Sequence, residues 1–116
     1  MCMFLGETPT VRDLNGTIAW KVFKRSWVGD MWCSPVRNTL WTDGICIAPS
    51  FSVGSGAVAG IHAFRTIYKA KNYLRTSCYW SGDIYRIARV RLFGPTACYK
   101  DGYRAPVAVI HEDESL

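Results

Sequence analysis

The residues best able to do chemistry in this chain are arginines with aromatic neighbours. Arg86, Arg89 and Arg91 lie close together in Ile84–Phe93, and Arg89 and Arg91 fall on one face of an extended chain. Arg104 follows an Asp-Gly turn and stands beside Tyr103. Arg65 stands at the entrance of a helix-like stretch, where the N–H groups of a first turn are free. Guanidinium forks hold carboxylates and phosphates through paired hydrogen bonds. Trp41 and Tyr103 add rings on which a base could stack. Arg65, Arg89, Arg91, Tyr103, Arg104 and Trp41 are therefore the candidate anion- or partner-binding set. The competing reading is a solvated strand face whose arginine stems cover apolar surface.

Other chemistries find less support. His62 and His111 are the only histidines, and no Cys or carboxylate stands beside either at ligand spacing, so no metal site is expected. Cys33, Ser34 or Cys46 could pair with His62 as nucleophile and base, but no local motif joins them. Gly54, Gly56 and Gly60 imitate a phosphate cradle. Such a cradle follows a strand and opens a helix, whereas here a strand comes after the glycines. No catalytic residue and no cofactor are assigned. The enzymatic alternative is a nucleotide-dependent transferase of the ADP-ribosyl type, with His62, Tyr68 and Glu112 or Glu114 in its roles; those acids lie in a terminal acidic run.

The elements that must carry these residues are mostly strands. Ile61, Ala63 and Phe64 form a short strand that runs into the chain's one convincing helix, expected at about 66–75. Thr66 is its N-cap, Ile67, Ala70 and Leu74 share one face, and Lys69, Lys71, Asn72 and Arg75 point away. Thr17–Lys24 alternates as a half-buried strand. Ala88, Val90 and Leu92 oppose Arg89 and Arg91, while Arg86 falls on the apolar parity, which a bulge near Ile87 would explain. Ile45–Ala48 is a short buried run, and Ala105–Ile110 is a candidate central strand with Pro106 near its start. Residues 1–16 read as irregular, Asn15-Gly16 as a turn, Ser50–Gly56 as a loop, and Gly94-Pro95 as a strand break. Met31–Ser34 and Thr39–Thr42 are strand-like fragments. The sum is an α+β domain: a mostly antiparallel sheet of about five to seven strands with one main helix packed on it. Residues 1–111 form that single domain and 112–116 an acidic tail.

Composition limits the partners. Of 14 basic residues and 9 acids, three acids, Glu112, Asp113 and Glu114, stand in the last five positions, leaving a body of net charge +8. A basic body fits an anionic partner: a nucleotide, a nucleic acid or an acidic protein surface. Five scattered cysteines form no C-x-x-C pair, and no membrane span or secretion signal is seen, so a reduced, cytoplasmic protein with free thiols is expected.

Several stretches, taken in order, resemble a family. They are the opening Met1-Cys-Met-Phe, Gly16-Thr-Ile-Ala-Trp-Lys-Val-Phe-Lys, Ser34-Pro35 before Trp41, Gly60-Ile-His-Ala-Phe before a helix, Val90-Arg-Leu-Phe-Gly94 and Gly102-Tyr-Arg-Ala105. The chain resembles a loose group of small bacteriophage and mobile-element proteins. No established activity comes with that group, so no residue role is carried over. The resemblance implies a small phage accessory protein, for which antagonism of host defence, such as anti-CRISPR action or sequestration of an immune signal, is a common role. The expectation is thus a binding protein that engages an anionic nucleotide signal or a nucleic-acid-handling defence complex. Its alternatives are the transferase and a plain interaction domain, with self-association left open.

Overall fold

The structure is a computed structural model and describes residues 8–25, 32–33, 45–48, 60–78 and 85–115. Trp41 and the expected loop at 50–56 lie outside these residues, as do most of the expected strand-like fragments at 31–34 and 39–42. The strands are β1 (Thr10–Arg25), β2 (Trp32–Cys33), β3 (Ile45–Ile47), β4 (Ile61–Phe64), β5 (Tyr85–Cys98), β6 (Gly102–Ala105) and β7 (Val107–Ser115). Among the described residues there is one α-helix, α1 (Ile67–Tyr73), which continues through a π-turn at Leu74–Cys78. The chain is α+β, as its periodicity predicts, and all the described strand pairings are antiparallel.

The sheet order is β2-β1-β4-β6-β5-β7-β3, and a further β1–β5 pairing closes β1, β4, β6 and β5 into a ring. β1 takes one edge of β5 along almost its whole length. The other edge is shared in succession by β7, paired at its near end with Phe93, and β6, which starts at Ala97. The ring interior is lined by Ala19, Ala63, Ala88 and Ala105, with Phe23, Val90, Leu92 and Tyr103 filling it. Four alanines of zero exposure let the strands close tightly.

Thr66 does cap α1: its extended backbone (φ −131°) turns the side chain to accept the Lys69 N–H at 3.3 Å. Ala70 is fully buried and Tyr73 stacks 5.4 Å from Phe64, seating the helix on the outside of the ring against Val22, Ile87, Ala97 and Tyr99. The α-helix ends two residues before the expected 75. The Leu74 N–H is shared between the Ala70 and Lys71 carbonyls, and the Thr76 hydroxyl donates to the Asn72 carbonyl at 2.8 Å, which loosens the α pattern.

Several local expectations are corrected. β1 begins at Thr10, so residues 10–16 are strand; Asn15-Gly16 is a bulge, with Gly16 at φ +89° and the register shifting between Asn15 and Thr17. The bulge exchanges the faces: Leu14 points inward before it, and Ala19, Lys21 and Phe23 point inward after it. Gly94-Pro95 does not break β5. Gly94 sits at φ +88°, and residues 94–96 lie between the reach of β7 and that of β6, where a missing N–H is tolerated. The irregularity near Ile87 lies against β7, between Ala88 and Val90. β3 is not a buried run: it ends the sheet order, so only Cys46 points inward, while Ile45 and Ile47 are 46% and 69% exposed. The Ala105–Ile110 run is divided at Pro106, whose carbonyl accepts the Ala48 N–H at 2.8 Å. The backbone of β7 continues through the acidic segment, with Ser115 opposite Ala88.

Candidate binding face

The strand registers set two rows of side chains across the outer side of the sheet. Ile18 pairs with Arg91, Arg91 with Val109, and Val109 with Ile45. One pleat along, Asn15 pairs with Phe93, Phe93 with Val107, and Val107 with Ile47. Four strands at roughly 4.8 Å spacing make this face about 14 Å wide. It is the continuation of the side on which α1 packs: Val22, Tyr85 and Ile87 belong to the helix cluster, and the residues of the two rows do not.

Arg89 marks the border. Its guanidinium carbon lies 5.5 Å from the centroid of the Trp20 ring, and Trp20 packs partly against the helix cluster. Arg91 is exposed, and its Nη1 donates to the Gly16 carbonyl at 3.2 Å. The bulge therefore does two jobs: it keeps apolar residues pointing inward on both sides, and it offers a carbonyl that fixes Arg91. Asp13 stands one row further on β1, opposite Pro95.

The other expected arginines belong to a second cluster, around the turn between β5 and β6. Arg65 donates from Nε to the Tyr99 carbonyl at 2.7 Å and from Nη1 to the Tyr103 hydroxyl at 2.9 Å, with its guanidinium 4.5 Å from that ring's centroid. Tyr103 itself is buried. Arg104 has no exposed surface, and its Nε donates to the Tyr99 hydroxyl at 3.3 Å. The registers do not bring Arg65, Tyr103 and Arg104 into the Arg89–Arg91 rows. Arg86 sends its guanidinium toward Phe23, 5.9 Å from the ring centroid, and burial lowers its pKa from the usual arginine range.

The residues set aside for enzymatic readings are spread out. His62 pairs with Arg104 on β6, while Tyr68 is 82% exposed on α1. Cys46 and Cys98 are buried free thiols, each with its pKa raised mainly by burial. Among the described residues no group of three or more His, Cys, Asp or Glu is placed to hold a metal ion, and no helix is long and apolar enough to cross a membrane. The apolar members of the face escaped the sequence reading, which took them as core. The signal was there in Ile45-Cys46-Ile47, whose alternation sets both isoleucines on the side opposite Cys46.

No family model, no curated protein and no solved structure matches the chain.

Proposed function

We propose that the protein acts by binding, and that the outer face of the sheet docks a protein surface with an apolar centre and acidic groups. The observation that carries this is the pair of rows Ile18-Arg91-Val109-Ile45 and Asn15-Phe93-Val107-Ile47, with Arg89 stacked at their border. Exposed isoleucines beside aromatic and arginine side chains are what interface cores favour. A nucleic acid is the poorer fit. Its backbone calls for cations spaced along a groove, and this face has two arginines on a flat apolar ground. In the phage-accessory setting suggested by the motifs, the partner is a component of a host defence complex and the docking blocks it.

The test is a plating assay in a bacterial host whose defence the protein suppresses. Ile47→Asp and Arg91→Glu should abolish suppression, while Val11→Asp, at a half-exposed position off the two rows, should leave it intact. Retained suppression by both folded face variants would reject the docking face.

A further inference from the structure

A second feature lies on the helix-covered end of the same side. A groove of about 710 Å³ runs between α1 with its π-turn and the start of β5. Tyr68, Lys71, Asn72 and Arg75 recur at helical spacing and line the groove with Leu74 from one side, and Tyr85, Arg86 and Ile87 of β5 line it from the other. Its size falls within the range of small-molecule sites. The described lining includes three cationic side chains, Lys71 and Arg75 from the helix and Arg86 from β5, two tyrosines and no carboxylate.

Basic residues near a helix C-terminus have an ordinary role, since they complement the helix dipole. Charge alone would therefore mean little here. Arg75, however, is held: its Nη2 donates to the Asn72 Oδ1 at 2.9 Å, which fixes the guanidinium on the groove wall one turn from Lys71. Tyr85 packs against the helix cluster and is fixed in turn, whereas Tyr68 stands 82% exposed with no packing that explains an aromatic residue there. An apolar, ring-bearing floor with two cations on one rim is complementary to a flat ring that carries an anionic group.

We propose that this groove binds a nucleoside monophosphate, its base between Tyr68 and Tyr85 and its phosphate between Lys71 and Arg75. The proposal does not rest on the docking face. Stacking on two tyrosines accepts any base, so selectivity among bases is expected to be weak. The phosphate takes the fixed fork of Arg75 and the point charge of Lys71.

Titration calorimetry with AMP, GMP, CMP and UMP, and with adenosine and inorganic phosphate alone, tests it. Monophosphates should bind at least tenfold more tightly than adenosine or phosphate, and Arg75→Gln should weaken them at least tenfold. Tyr68→Ala, at a site too exposed to disturb packing, should weaken every monophosphate by a similar factor. Absence of binding at millimolar nucleotide, or equal affinity in Arg75→Gln, would overturn the proposal. So would a short single-stranded oligonucleotide binding more than tenfold tighter than its monomer, which would make the groove a strand-binding one. None of these outcomes depends on Ile47 or Arg91.

Discussion

Lys21 and Cys46 enter the same interior from β1 and β3, and the charge of each acts on the other across it. Lys21 is 4% exposed between Ala19 and Phe23, and burial pushes its pKa down to about 8, against a smaller opposing effect from Cys46. The Cys46 thiol is pushed up by burial and drawn back by Lys21. Both shifts follow from charged forms that the alanine-lined ring cannot solvate.

The first prediction concerns this lysine. A base whose folded pKa is depressed binds fewer protons folded than unfolded between about 8 and 10.5. Its cost to stability is therefore full below about pH 8 and fades as pH rises toward 10.5. A shift of this size corresponds to about 3 kcal/mol. Lys21→Met should stabilise the protein at pH 7, by about 1–3 kcal/mol once packing differences are allowed for. Cys46 works in the opposite sense, because its raised pKa loses stability as the unfolded thiol ionises. The clean quantity is thus the stability gap between wild type and variant, measured by urea unfolding from pH 7 to 10. It should narrow with pH; a constant gap, or a less stable variant at pH 7, rules the account out.

Two glycines at positive φ should respond differently. At Gly16 an added Cβ would meet only ordinary contacts, the nearest at 3.7 Å from Phe93, so Gly16→Ala should cost the backbone strain alone, about 1–2 kcal/mol. At Gly94 the added atom would stand 2.9 Å from Pro106 Cγ, a clash on top of the same strain. Gly94→Ala should cost more, and Pro106→Ala in the same chain should recover the excess. A double-mutant cycle in thermal unfolding measures this coupling; additive losses would place the cost elsewhere.

How far these features were legible depends on the range of the interaction. Thr66 and the spacing of Ile67, Ala70 and Leu74 are local, and the helix start could be read directly. So could the Asp101-Gly102 turn, closed by the Tyr99 N–H on the Gly102 carbonyl at 2.8 Å, and the shared face of Arg89 and Arg91. Asn15-Gly16 could not be told from a hairpin turn, because a positive-φ glycine serves both and only the continuous β1–β5 ladder decides. Lys21 looked like the polar half of an alternating strand until ring closure buried that side. Arg104 and Arg65 looked alike in sequence. Burial of the first and exposure of the second come from elements more than 30 positions away.

Arg104 supplies a third prediction. With no exposed surface and its Nε on the Tyr99 hydroxyl, it contributes to folding rather than to a surface. Lysine cannot reproduce the planar fork, and it would leave a buried ammonium with fewer partners. Arg104→Lys should lower stability by about 2–3 kcal/mol. Tyr99→Phe, which deletes one acceptor, should cost about 1 kcal/mol. Equal stability of Arg104→Lys and wild type in denaturant melts would contradict this.

The last prediction separates the two cationic clusters by salt and by shape. At the outer face Arg91 is exposed and donates to the Gly16 carbonyl, so its contribution to the free protein should be small, within about 1 kcal/mol. In a complex it would be covered, with a partner's carboxylate in reach. Arg91→Glu should then reduce partner affinity well over tenfold while moving the melting temperature little. Ile47→Asp should do the same through the apolar row, because a carboxylate buried against apolar surface without a partner is costly. The two losses should differ in salt dependence. Screening acts over about 8–10 Å at ordinary ionic strength, so raising salt should weaken wild-type binding and leave Ile45→Ala, which trims only apolar contact, with the wild-type slope. Arg91→Gln should flatten that slope. In the second cluster, Arg65→Gln should change stability through the lost Tyr103 and Tyr99 bonds but not partner affinity. Binding measured for these variants at 50 and 300 mM salt decides the matter. If Arg65→Gln abolishes binding and Arg91→Gln does not, the functional surface lies at the turn between β5 and β6, and the outer rows only close the sheet.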